Sequence, residues 1–263
     1  MRRPSLPVFL AAALAITAGL TGIPHDASAQ QRYAELPPGR AYQVCLAEAR
    51  RNPDTGFEAA IAWRDEGGGP PALHCVALAL FELGQFSEAG KRLEDLATGM
   101  PGAGNRERAA ILGQAGSVWL HANDLSRAHA ALTRALELDG EDPELWIDRG
   151  DALARSGEYW EAIDDFSAAI DRDPSRLDAL VFRAAAYRLL DVTDLARDDI
   201  ARALAVDPDQ PDALVELGAI HAQVQEFGAA RTAWLRVLSV APGSRAADAA
   251  RSALQQMDVQ VDR

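Results

Sequence analysis

The sequence predicts an all-α fold, a superhelical solenoid of helix–turn–helix repeats closed by a C-terminal helix. Three observations carry that prediction. Pro174, Pro208 and Pro242 stand 34 residues apart. Small residues recur at one place in each period and large apolar residues at another. From about Ala41 onward the apolar residues follow helical spacing, and no segment alternates as a strand does. A fixed period of this length marks one supersecondary unit copied along the chain, and stacked copies bury a continuous core.

The elements follow in chain order. Residues 1–29 read as an export signal: Arg2 and Arg3 give the positive start, Leu6 to Leu20 the short apolar stretch, and Ala27-Ser28-Ala29 the small residues at a cleavage point after Ala29. The apolar stretch is short for a membrane span, no cysteine follows it closely to carry a lipid, and no later segment could span a bilayer. Cleavage would remove Arg2, Arg3 and Asp26 and take the net charge from −13 to −14. Residues 30–40 read as a flexible leader, with Pro37-Pro38-Gly39 blocking regular structure. Residues 41–69 read as a degenerate first repeat, residues 70–242 as an array of about five units, and residues 243–263 as a capping helix and tail. Gly67-Gly68-Gly69-Pro70-Pro71 and Pro101-Gly102-Ala103-Gly104-Asn105 interrupt the helical pattern.

With the three prolines at position 32, units begin at Pro143, Leu177 and Pro211. An earlier unit begins at Ala109, and another near Pro70 once residues 104–108 are treated as an insertion. Position 8 is then Ala77, Gly116, Gly150, Ala184 and Gly218. Position 20 is Ala89, Ala128, Ala162, Ala196 and Ala230. Position 4 is Leu73, Leu112, Trp146, Leu180 and Leu214, and position 24 is Leu93, Leu132, Phe166, Ile200 and Trp234. Tiny side chains let paired helices approach, and the bulky columns fill the space that remains between one unit and the next. Asp142-Pro143 and Gln210-Pro211 put proline in a first helical turn, where its missing N–H is harmless. Ser175 with Asp178 predicts a capping box. Gly84 and Gly157 fall at the turn inside a unit. After Ser244 an apolar face of Ala246, Ala250, Leu254 and Met257 predicts the closing helix.

This register resembles the tetratricopeptide repeat family. The unit from Pro143 to Arg176 carries Trp146, Gly150, Leu153, Gly157, Tyr159, Ala162, Phe166, Ala169 and Pro174 at the family's signature spacing. Arg149 and Arg183 depart from it, standing where leucine is usual at position 7, and His221 stands where an aromatic is usual at position 11. The resemblance implies a right-handed superhelix whose first helices line a concave face. It also implies that partners touch positions 2, 5, 9 and 12. Those positions give Glu144, Asp178 and Asp212 as an acidic row. Ile147, Val181 and Val215 follow at position 5, Asp151 at position 9 and Arg188 at position 12. The same columns in earlier units hold His74, Leu78, Phe81, Gly113 and Ser117. The lysine–asparagine set with which some members clamp a terminal carboxylate is missing. The expected partner is a protein or peptide with an apolar segment bearing Arg or Lys.

Other chemistry finds little support. The acidic balance argues against nucleic acid as a partner. His74, His121, His129 and His221 are scattered, with no HExxH spacing and no convincing metal site; no cofactor is expected. Asp164-Asp165 and Asp198-Asp199 read as solvated faces. Trp119, Trp146 and Trp234 fall on packing positions, whereas Trp160 falls off them. Cys45 and Cys75 leave two readings open, a disulfide or two small buried residues. One lysine against 25 arginines, with abundant alanine, suggests a bacterium with a GC-rich genome. The expectation is a non-enzymatic interaction adaptor of the bacterial cell envelope, periplasmic or secreted. The alternative is a small-molecule or glycan binding protein, or an accessory module of an envelope enzyme.

Overall fold

A computed structural model describes residues 38–100 and 102–261. The expected signal and residues 30–37 of the leader lie outside them. Among the described residues there are thirteen α-helices and no strand, and no helix is long and apolar enough to cross a membrane. The helices are α1 (Pro38–Arg51), α2 (Pro53–Asp65), α3 (Gly69–Glu82), α4 (Phe86–Gly99), α5 (Asn105–His121), α6 (Leu125–Leu138) and α7 (Pro143–Arg155). They continue as α8 (Tyr159–Arg172), α9 (Leu177–Leu189), α10 (Thr193–Val206), α11 (Pro211–Gln223), α12 (Phe227–Val240) and α13 (Arg245–Val261). Odd-numbered helices up to α11 are the first members of hairpins and even-numbered helices the second. Each helix packs on its neighbours in the chain, and successive first helices also touch: α1 on α3, α5 on α7, α9 on α11. The result is an all-α superhelical solenoid.

Two columns explain why the helices of a pair come so close. A methyl added at Gly116, Gly150 or Gly218 would lie 2.4, 2.5 or 2.2 Å from Leu132, Phe166 or Trp234. Each partner is the position-24 residue of the same unit, so the bulky side chain lies over a bare backbone in its own hairpin rather than only between units. The position-20 alanines are all fully buried. The turn inside each unit is also a column. Gly84, Asn123, Gly157, Asp191 and Gln225, all position 15, have positive φ. The next residue's N–H reaches back to the position-11 carbonyl at 2.8–3.0 Å, which closes the first helix by a left-handed cap. At the other end of the hairpin, Asp139, Asp173 and Asp207 accept the N–H two residues on and turn the chain into the next unit.

Several boundaries differ from those read in sequence. Pro38–Arg40 form the first turn of α1, and Gly69-Pro70-Pro71 the first turn of α3; proline at the start of a helix loses no hydrogen bond. Residues 105–108, read as part of an insertion, lengthen α5 by one turn, tied to α4 by Arg108 Nε donating to the Ala97 carbonyl at 2.9 Å. The expected capping box does not form: Ser175 Oγ donates to Asp173, and Asp178 is held by Arg176.

The departures at position 7 have a structural reason. Arg149 and Arg183 make bidentate ion pairs, both N–H···O distances 2.7 Å, with Asp165 and Asp199 across the hairpin. Each arginine also donates to a hydroxyl of the preceding unit, Thr133 or Ser167. Asp165 and Asp199 are therefore not solvated faces; they are 4% and 2% exposed. The neighbouring units lack both charges, with Ala115 opposite Ala131 and Leu217 opposite Ala233. At the N-terminus a disulfide joins Cys45 of α1 to Cys75 of α3. At the C-terminus α13 lays Ala246, Ala247, Ala250 and Met257 on the core that contains Leu214, Trp234 and Val237.

Candidate functional site

Four first helices, α1, α3, α5 and α7, wall a groove of about 540 Å³. Its floor is α5, where Ala110, Gly113 and Ser117 lie three and four residues apart on one face; Leu145 of α7 packs directly onto Gly113, so the missing side chain there lets α7 approach α5. One wall is apolar, with Leu46 from α1 and Leu78 and Phe81 from α3. Phe81 belongs to a ring cluster with Phe86 and His121, at centroid separations of 5.3 and 5.1 Å. The opposite wall is acidic, with Asp142, Glu144 and Asp148. Arg50 is the lining arginine. A second recess of about 390 Å³ shares Tyr42, His74 and Gln114 with the groove and extends it toward Met100 and Ile111.

The polar groups are mostly paired with one another. The Tyr42 hydroxyl donates to His74 Nδ1 and His74 Nε2–H donates to Gln114 Oε1, both at 2.5 Å. Burial lowers the His74 pKa and raises that of Tyr42, which keeps both neutral. Ser117 Oγ donates to Asp148. Burial pushes the Asp148 carboxyl up to about 6, with help from Glu144 and Asp151 and against the Ser117 bond and the Arg176 charge. Burial likewise raises Asp151, opposed by Arg155.

The eight residues expected on the concave face take different places. Glu144 lines the groove, exposed, and pairs with Arg176 at 2.7 Å. Asp178 binds the same guanidinium at 2.6 Å; burial raises its carboxyl, and the bonds from Arg176 and the backbone outweigh that and leave it below its ordinary value. Arg176 therefore neutralises two of the three acids of the expected row. Asp212 is exposed. Ile147 and Val181 are 4% and 5% exposed and belong to the core, because in these units position 5 packs into the seam between successive units, whereas His74 and Gly113 at the same position line the groove; Val215 is partly buried beside the α13 core. Asp151 is half-buried, 3.5 Å from Arg155. Arg188 is held by Glu216 at 2.5 Å. The groove lies in the earlier units, where His74, Leu78, Phe81, Gly113 and Ser117 of the same columns converge. Position 6, which supplies Gln114 and Asp148, was missed; the i, i+3, i+4 rule from positions 2 and 9 would have placed it on the same face. Among the described residues no cluster of His, Cys, Asp and Glu could hold a metal ion. Trp119 and Trp234 are buried, and Trp160 on α8 is 56% exposed.

The chain matches the tetratricopeptide repeat family at residues 114–176 and 184–245. No protein curated for its function matches in sequence. Several solved structures share the fold at low identity. PilF of Pseudomonas aeruginosa superposes with a TM-score of 0.62 at 13% identity, over 90% of this chain and 99% of that one. MamA of Desulfovibrio magneticus gives 0.57 at 16% identity, over 67% and 97%. YrrB, described as a repeat protein with an unusual peptide-binding site, gives 0.55 at 20% identity, over 75% and 96%.

Proposed function

From the premise that this chain belongs to the tetratricopeptide repeat family, whose members are in general non-catalytic scaffolds for protein–protein interaction, we propose that it captures a segment of a partner protein in the groove walled by α1, α3, α5 and α7. The observation that carries this is the groove itself: a preformed trough with an aliphatic and aromatic wall facing an acidic one. A rigid surface of this kind binds without first paying to order itself. An apolar segment bearing Arg or Lys complements both walls. We further propose that the protein works in the cell envelope of a bacterium after export. The signal pattern of residues 1–29 supports this, as does the Cys45–Cys75 bridge, since such bonds persist in oxidising compartments. A small molecule or glycan fits less well, because Tyr42, His74, Gln114 and Ser117 are already bonded within the wall and leave little to orient one.

Site-specific photocrosslinking in the native host tests the reading. A crosslinker at Ala110, in the groove, is expected to trap one protein reproducibly, and the same group at Trp160 on α8 to trap none. Adducts from Trp160 alone would contradict it. N-terminal sequencing of the envelope fraction is expected to begin at Gln30; an intact Met1 in the cytoplasm would contradict the export proposal.

A further inference from the structure

The acids around the groove are not equivalent, and their difference points to one of them. Asp142 accepts the Glu144 backbone N–H at 3.0 Å and so caps α7. Glu144 is bridged to Arg176, and Asp151 lies against Arg155. Asp148 alone of these four has neither duty. Among the described residues it makes no ion pair, and its bond is the neutral hydroxyl of Ser117. It sits one turn along α7 from Glu144, half-buried, and lines the groove together with Gly113 and Ser117 of α5. A carboxylate withdrawn from water with no ion-pair partner, eased only through space by the Arg176 guanidinium, is a destabilising arrangement. The repeat does not demand it, since the same position is Gln114 or Phe182 in adjoining units. A cation supplied from outside would complete it.

Resting on the groove reading above, we propose that Asp148 is the specificity-determining residue of this site. It receives the guanidinium or ammonium of one Arg or Lys in the partner segment, while an aliphatic or aromatic residue beside that cation lodges against Leu46, Leu78 and Phe81. Ser117 is a positioning residue: its hydroxyl fixes the carboxylate so that one oxygen faces the groove. Glu144 adds field but is partly neutralised by Arg176, so it contributes less.

The test begins with an array of random decapeptides probed with the purified chain. Bound peptides are expected to be enriched in Arg or Lys within three residues of Phe, Leu, Ile or Met. One such binder is then compared with its citrulline copy, which keeps the shape and loses the charge. The swap is expected to weaken binding about tenfold in the parent and less than twofold in Asp148→Asn, whereas a merely structural role for Asp148 would weaken both peptides alike. Equal citrulline penalties in the two proteins would overturn the assignment of Asp148 while leaving the groove reading intact, provided Ala110→Trp, which plugs the trough, abolishes binding. Binding that survives Ala110→Trp, or no peptide bound at all, would overturn the groove reading and this assignment with it.

Discussion

At the scale of single residues, the hairpins are held by size complementarity and by two charge pairs, and both make predictions. Gly218 lies under the Trp234 ring, whose Nε1–H also donates to the Val215 carbonyl at 3.1 Å. An alanine there gains helix propensity but displaces a rigid ring. Gly218→Ala is therefore expected to destabilise the fold by about 1–3 kcal/mol, and to become neutral or stabilising in a Trp234→Leu background, as urea unfolding of the four-member cycle would show. Arg149 and Asp165 form a desolvated pair, so Arg149→Leu alone should cost about 3–5 kcal/mol by stranding the carboxylate. Arg149→Leu with Asp165→Ala copies the Leu217 and Ala233 arrangement of a neighbouring unit and should recover most of that loss. Asp148 behaves in the opposite way. Its pKa is about 6 in the fold and near the ordinary carboxylate value when unfolded. Between about pH 4 and pH 6 Asp148 holds a proton in the folded chain that it lacks in the unfolded one, so its contribution to stability falls as pH rises through that window and stays lower above it. Asp148→Asn should remove that contribution and raise stability at pH 7.5 by about 2 kcal/mol, with no gain near pH 4; melting curves of parent and variant at the two pH values check it.

At the scale of elements, the sequence was most legible where one side chain decides a local geometry. Proline at position 32, glycine or alanine at position 8 and the position-24 bulk reveal the hairpins because each has one steric role. The turn column was only half legible: Gly84 and Gly157 announce a positive φ, whereas Asn123, Asp191 and Gln225 adopt it because the helix on each side compels them. Arg149 and Arg183 looked like lapses of the pattern, and Asp165 and Asp199 like surface acids, since a pair 16 residues apart is visible only when both ends are read together. The first hairpin shows the same limit. Few signature residues mark α1 and α2, and their place depends on tertiary contacts: Gly56 against the Ala49 backbone, and the bridge from Cys45 to Cys75. That bridge closes a loop of 30 residues. Its reduction is expected to cost about 3 kcal/mol, and hydrogen exchange should show the loss confined to α1, α2 and the facing side of α3. Equal loosening of α9 to α12 would contradict that picture.

At the scale of the whole molecule, stacking explains both what sequence revealed and what it hid. Each unit contacts mainly its neighbours, so the fold can be read one period at a time. The groove cannot, because its walls come from four units whose small and large residues differ. Family columns pointed to Glu144, Asp178 and Asp212 as a row, but Arg176 spans the first two, and the open trough lies earlier, where α5 is lined by Ala110, Gly113 and Ser117. In the function proposed above, the first helices of the N-terminal units hold the partner. The most direct measurement is hydrogen exchange of the chain with and without its crosslinked partner or a bound array peptide. Slowed exchange on α1, α3, α5 and α7 is the predicted result; slowing restricted to α4, α6 and α8, on the second helices, would contradict it.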